Sequence, residues 1–308
     1  MNWEKMLVAA VVLTVRAVSA AAQEAQPAAA DTAAATPPGW VVKSNVGLQL
    51  TQSAFNSAWA GDEVGTVSWI GTWNSEAGKR IAPWAHWHNS LLLQFGQTHQ
   101  QTADREAWLA PQKSADKITY RGVVLFRFWS MLDPFVAFDV DSRFYDEAEV
   151  AGRKYFTPTR FTESAGIARV LSSTPRVRVV TRFGGALKET VDRLALVDPV
   201  TMRFGTQTTT DVGVEWFTQS RLAAKEDRTV FTSELRLFKN LATSEDDPLD
   251  RLHWPAVDVD WQNTLTNKVY KWISFDLFWQ ILYDEQVNAT GQFNQTLGLG
   301  ITYQLVGK

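Results

Sequence analysis

The stretch QFNQTLGLGITYQL, residues 292–305, governs how the whole chain is read. From Phe293 to Leu305, alternate positions read Phe, Gln, Leu, Leu, Ile, Tyr and Leu, and the positions between them read Asn, Thr, Gly, Gly, Thr and Gln. Successive side chains of a strand point to opposite faces, so this segment is a β-strand with one apolar face and one small, polar face. Either a soluble core or lipid must cover the apolar face.

The same alternation recurs upstream. Trp87, Leu91, Leu93 and Phe95 oppose His88, Ser90 and Gln94, and Val136, Phe138, Val140 and Phe144 oppose Asp139, Asp141 and Arg143. Val177, Val179 and Phe183 oppose Arg176, Arg178 and Arg182, and Phe231, Leu235 and Leu237 oppose Glu234 and Arg236. Val257, Val259, Trp261 and Leu265 oppose Asp258, Asp260, Gln262 and Thr264, and Ile273, Phe275, Leu277, Trp279, Ile281 and Tyr283 share one face. Twelve strands are expected, over residues 43–55, 64–75, 84–97, 117–130, 134–146, 159–172, 175–189, 209–221, 228–240, 254–266, 270–283 and 290–305.

Short and long connections alternate. EAGKRIAP, MLDP, SSTP, AAKEDR and NKV follow the even-numbered strands and carry turn residues. Long polar stretches follow the third, fifth, seventh and ninth strands, the clearest being THQQTADREAWLAPQKSAD (98–116) and TVDRLALVDPVTMRFGTQTT (190–209). The first and last loops on that side, NSAWAGDE and DEQVNATG, are of moderate length. Outer-membrane barrels join their strands in this way, by short turns on one side and longer loops on the other.

Alternation alone also suits a soluble sandwich, but three features favour a closed barrel in a membrane. The strands are long compared with the usual soluble length of about 5–6 residues. Their number is even and each is wired to its neighbour, which allows closure without exposed edges. Trp84, Trp87, Trp261, Tyr283 and Tyr303 lie near strand ends on the apolar set, where interfacial girdles place aromatic residues. The charged faces fit a lumen: an Arg at mid-bilayer depth on the lipid face would cost about 2–4 kcal/mol. The expected fold is therefore an all-β, up-and-down antiparallel transmembrane barrel whose last strand pairs with the first around NVGLQLTQ. GVVLFRFW (122–129) is apolar on both faces apart from Arg127, and Leu92 intrudes on a polar face. A partly filled lumen would account for both.

The 308 residues carry a net charge of −3 with both signs mixed, which lacks the basic face that nucleic acid needs. The absence of cysteine removes disulfides, thiol catalysis and Cys-based metal sites. The chain holds 14 Trp, and aromatic residues make up 12% of it. MNWEKMLVAAVVLTVRAVSAAAQ has the layout of a signal peptide, with cleavage expected after Ala22, although Arg16 shortens its apolar run. Residues 23–39, rich in Ala, Pro and Thr, read as a disordered spacer, and residues 40–308 as the barrel domain. These features place the chain in the outer membrane of a Gram-negative-type cell. Its partners would be the lipid bilayer, the outer-membrane assembly machinery and small solutes. The final strand continues through Val306, Gly307 and Lys308, so recognition by that machinery would fall to Tyr303 and Leu305.

Several segments resemble the uncharacterised DUF3078 family. SWIGTWNS (68–75) is similar, in degenerate form, to its W-x-x-G-G-x-N-S signature: Trp69, Gly71, Asn74 and Ser75 correspond, and Thr72 replaces the second glycine. WHNSLLLQFG (87–96) resembles the following W-x-N-x-L strand, ending on Gly96. QKSADKI (112–118) resembles the R-K-x-x-D-x-I segment through Lys113, Asp116 and Ile118, with Gln112 in place of the arginine. DVDWQNTL (258–265), LYDE (282–285) and QFNQTLGLGITYQL resemble the C-terminal block. The resemblance implies an exported, barrel-like envelope protein and no particular reaction, ligand or catalytic residue.

No cofactor and no enzymatic activity are expected. An outer-membrane lipid hydrolase would need Ser, His and an orienting group, and of the HWHNS cluster only His88 and Ser90 share a face, without a G-x-S-x-G elbow. His86 and His88 share a face and could clasp a metal with a third ligand, but the stronger reading is two polar side chains near the lumen mouth, and no metal site is expected. The candidate functional groups are the lumen charges Arg176, Arg178, Arg182, Asp139, Asp141, Arg143, Glu234, Arg236, Asp258 and Asp260. Fixed charge of this kind can select ions, and acids and bases on facing strands can equally pair and plug a barrel of this size. The expected role is a narrow passive channel for small solutes or a structural envelope protein. The alternatives are the lipid hydrolase and a soluble, ligand-binding periplasmic β-protein.

Overall fold

The computed structural model describes residues 39–53, 64–104, 106–128, 131–148, 152–198, 201–224, 228–244, 256–284 and 288–307. The expected signal peptide and nearly all of the spacer lie outside the described residues. Among the described residues fourteen strands are present: β1 (Val41–Ser53), β2 (Thr66–Ala82), β3 (Ala85–Gln100), β4 (Gln112–Phe126), β5 (Asp133–Ser142), β6 (Tyr145–Ala148), β7 (Gly152–Tyr155), β8 (Thr159–Ser173), β9 (Val177–Asp198), β10 (Arg203–Ala224), β11 (Thr229–Thr243), β12 (Asp258–Lys268), β13 (Ile273–Asp284) and β14 (Asn288–Gly307). All but β6 and β7 close into one barrel, in the order β1-β14-β13-β12-β11-β10-β9-β8-β5-β4-β3-β2.

Closure falls where the sequence placed it. β14 pairs antiparallel with β1, with Tyr303 opposite Val46, Ile301 opposite Leu48 and Gly300 opposite Gln49. Large inward side chains would crowd this seam. A Cβ added to Gly298 would come within 2.9 Å of the Gln49 amide oxygen, and one added to Gly300 within 3.2 Å of an Asp276 carboxylate oxygen. Gly166 and Gly184, partners across β8 and β9, allow a closer approach still, since a Cβ on either would lie 2.2 Å from a carbonyl oxygen of the facing strand.

The outer face is apolar and uncovered. On β14, Phe293, Leu297, Leu299, Ile301, Tyr303 and Leu305 are all at least half exposed. Leu48, Leu50, Val136, Phe138, Phe183 and Trp216 continue the surface on other strands. A largely apolar exterior on a ring of alternating strands, interrupted on β8 by the exposed Glu163 and Arg169, is what hydrocarbon solvates and water does not. Two aromatic bands border it. At the short-turn end, Trp40 packs on Trp87 at 5.3 Å, and Trp84 stacks on Phe126 and Phe128 at 6.0 and 5.2 Å. At the long-loop end, Phe95 meets Trp69, Phe144 and Tyr145 at 5.7–6.1 Å. The polar handles of outward tryptophans are satisfied by the neighbouring strand, with Nε1 of Trp73, Trp216 and Trp261 donating to Ser44, Thr181 and Ser233. An indole N–H without an acceptor would be costly in lipid.

Three expectations need correction. Residues 190–209 are not an irregular loop. β9 and β10 continue as a two-stranded hairpin past their other neighbours, from Asp192–Gln207 up to Asp198–Arg203. Each extended strand has only one hydrogen-bonded neighbour, so no enclosed core imposes a continuous apolar face that the sequence could display. EAGKRIAP is mostly strand, because β2 runs on to Ala82 and leaves only Pro83 and Trp84 between it and β3. The NATG of the last loop belongs to β14, which starts at Asn288. The small β6–β7 hairpin was not expected. Its fully buried neighbour Thr157 ties it to the β9 extension, donating to Asp192 Oδ1 at 3.2 Å and accepting from the Arg193 amide at 2.9 Å.

Candidate functional site: the ion-paired lumen

The long inward side chains meet across the barrel rather than lining an empty tube. β4 and β12 stand at opposite points of the ring, yet Lys117 Nζ donates to Gln262 Oε1 at 2.6 Å. Arg121 of β4 pairs with Glu234 of β11, and Arg236 of β11 pairs with Asp139 of β5. Lys188 of β9 reaches Asp258 of β12 at 3.1 Å, and Arg160 of β8 reaches Asp284 of β13 at 3.7 Å.

Arg236 is the hub of this tier. Beyond Asp139 it approaches Glu215 at 3.4 Å and Asp141 at 3.9 Å, so carboxylates from two strands surround it. Asp141 also accepts from Thr119 Oγ1 at 2.9 Å, and Asp260 accepts from Gln262 and Gln280, each at 2.7 Å. Glu234 accepts from Gln219 at 2.9 Å. Cations and carboxylates in such proximity satisfy one another's hydrogen bonds, which is the condition for holding charge out of water. The inward Phe217 ring lies among three guanidinium groups, those of Arg182, Arg121 and Arg236, at 4.4, 5.3 and 5.6 Å.

Below the tier, toward the short-turn end, the inner face turns apolar. Phe135, Ala137 and Ala168 are 2–3% exposed, and Val123 and Leu125 pack against them. This accounts for the two-faced GVVLFRFW segment: its inward members fill the lumen. Toward the long-loop end, a cavity of about 370 Å³ remains, walled by Arg160, Lys188, Asp258, Asp260, Gln280 and Asp284 and floored by Arg236 and Lys117.

Of the expected lumen charges, Arg182, Asp139, Asp141, Glu234, Arg236, Asp258 and Asp260 are brought into this interior. Three are not. Arg176 sits in the turn before β9 and is exposed, and Arg178, one residue into the strand, is exposed at the rim. The three-arginine ladder straddles the barrel edge because the strand starts only at Val177. Arg143 lies beyond the end of β5, half exposed, and pairs with Asp146 at 2.9 Å. His86 and His88 lie at the short-turn end of β3, opposite Leu125 and Val123 in register, and no group of three potential metal ligands assembles among the described residues. Sequence reasoning missed Lys117, Arg121, Arg160, Lys188, Asp211, Glu215 and Asp284. The available signal was parity: Lys117, Thr119 and Arg121 fall on one face, and Asp211 and Glu215 share a face with Phe217 and Gln219.

A closed ring of twelve antiparallel strands with a lipid-type exterior and a charged interior defines a transmembrane barrel of the outer-membrane class. Within that class, residues 50–147 match the family model described as a protein of unknown function (DUF3078). The matched region runs from β1 to β6 and includes SWIGTWNS, where Ser75 bonds Ser44 at 2.7 Å and Trp73 donates to the same hydroxyl. Gly71 is mid-strand there, and a Cβ at that position would meet nothing closer than 3.8 Å, so Thr72 costs no tight turn. The C-terminal segments that resemble the family lie beyond the match. No curated protein matches the chain. Among solved structures, an outer-membrane channel from Pseudomonas putida F1 is similar at 11% identity and a TM-score of 0.42, covering 90% of this chain and all of the other. The translocator domain of the autotransporter NalP from Neisseria meningitidis is similar at 7% identity and a TM-score of 0.36, covering 97% of both chains.

Proposed function

We propose that the protein is an exported barrel of the outer membrane whose lumen is shut at rest, serving as a sealed envelope protein with a blind polar vestibule. The termini and short turns face the periplasm in this reading, and the β9–β10 and β6–β7 hairpins face outward. The observation that carries it is the set of contacts from wall to wall, Arg236 to Asp139, Arg121 to Glu234 and Lys117 to Gln262, above an apolar floor. A solute entering the vestibule meets paired charge, then packed hydrocarbon. Small solutes pass only when that tier rearranges.

Two experiments test this. The protein should remain with membranes until detergent releases it, and recovery in the soluble periplasm would overturn the membrane reading. Vesicles containing the folded protein should swell in isotonic arabinose no faster than protein-free vesicles. Rapid swelling would overturn the seal and leave the barrel standing.

A further inference from the structure

The tier contains one cation more than its contacts use. Arg182, on the inner face of β9, is 4% exposed and lies over the rings of Phe217 and Phe135 at 4.4 and 5.2 Å. Cation–π attraction is its visible partnership. Among the described residues no carboxylate forms an ion pair with it, and its NH1 is buried without a hydrogen-bond partner. Two carboxylate oxygens are in the same condition, Oδ1 of Asp139 and Oε2 of Glu215. Both acids already contact Arg236. They are also the two acids whose charge acts most strongly on Arg182.

Two buried guanidinium groups therefore stand near the same pair of carboxylates, and of the two only Arg236 is ion-paired with them. We propose that Arg236 and Arg182 are alternative partners in a two-position latch. In the shut arrangement Asp139 and Glu215 hold Arg236. In the second they turn to Arg182, and Arg236 keeps only Asp141, now at 3.9 Å. Each arrangement leaves one cation underpaired, so the two lie close in free energy, as a switch between discrete states requires. In that second arrangement the wall-to-wall contact between β5 and β11 is reduced to the longer Arg236–Asp141 approach, which loosens the floor of the vestibule. The inference rests on the sealed-lumen reading and assigns that seal its moving part.

Single-channel recording from the full chain in planar bilayers tests it. The wild type should be shut with brief openings. Arg182→Gln removes the alternative partner and should make openings roughly tenfold rarer, whereas Arg236→Gln should lengthen open time by a similar factor. Asp139→Asn, a near-isostere, weakens both arrangements and should shorten both open and shut dwell times, which gives a second readout if Arg182→Gln fails to fold. A shut wild type whose opening frequency is unchanged or raised by Arg182→Gln, or whose dwell times ignore Asp139→Asn, overturns the latch and leaves the seal intact. A steadily open wild type overturns the seal and the latch with it.

Discussion

Strands β5 and β14 carry the same outward pattern and opposite inward ones. Outward, Val136 and Phe138 on β5 match Leu297, Leu299 and Ile301 on β14, all exposed on the apolar belt. Inward, β14 offers Thr296, Gly298, Gly300 and Thr302, whereas β5 offers Phe135 and Ala137 followed by Asp139 and Asp141. The outer face answers to one solvent, so most strands repeat it, with β8 departing at Glu163 and Arg169. The inner face answers to whatever stands across the lumen, so its residue types change from strand to strand and from end to end. β14 is kept small because Gln49 and Asp276 occupy the space beside its glycines. β5 is large because it supplies half of the plug.

That contrast can be broken at either face. The largest effect is expected at the plug: Arg236→Met would remove the cation that Asp139 and Glu215 hold in the shut arrangement and cost about 3–5 kcal/mol, read from urea-driven unfolding in lipid vesicles. Next comes the outer face, where Leu297→Arg would place charge in hydrocarbon and cost about 2–4 kcal/mol in the same titration. An effect near zero would mean that this face does not meet lipid. Close strand approach is tested by Gly184→Val, whose added atoms meet the Ala165 carbonyl, with about 1–3 kcal/mol lost. Its neighbour Gly185, beside which a Cβ meets nothing within 4 Å, should accept Ala within about 0.5 kcal/mol. A loss of about 0.5–1.5 kcal/mol is expected for Trp73→Phe, which keeps the ring and removes the indole hydrogen bond to Ser44.

The wall was legible in the sequence for the reason the comparison supplies. Period-two apolar runs such as Ile273–Tyr283 and Phe293–Leu305 report a lipid face that no tertiary contact alters, and the pairing of β14 with β1 followed from closure alone. Legibility failed where that constraint lapses. The β9–β10 extension stands outside the ring and shows no apolar period, so it read as a loop. Inside, the acids and bases of β5, β11 and β12 were visible as alternating sets, but Arg121 and Lys117 of β4 find their partners, Glu234 and Gln262, far across the ring, at sequence separations that periodicity does not reach. Arg176 and Arg178 were misplaced for a smaller reason: alternation shows which residues share a face, and it does not show at which residue the wall begins.

The most direct test of the central claim is the steady conductance of the detergent-folded wild-type protein in planar bilayers at high salt. The account predicts a baseline that stays shut, with current confined to brief, sparse openings. A stable, ohmic conductance that scales with salt concentration would contradict it and mean that the ion pairs line an open pore instead of closing it.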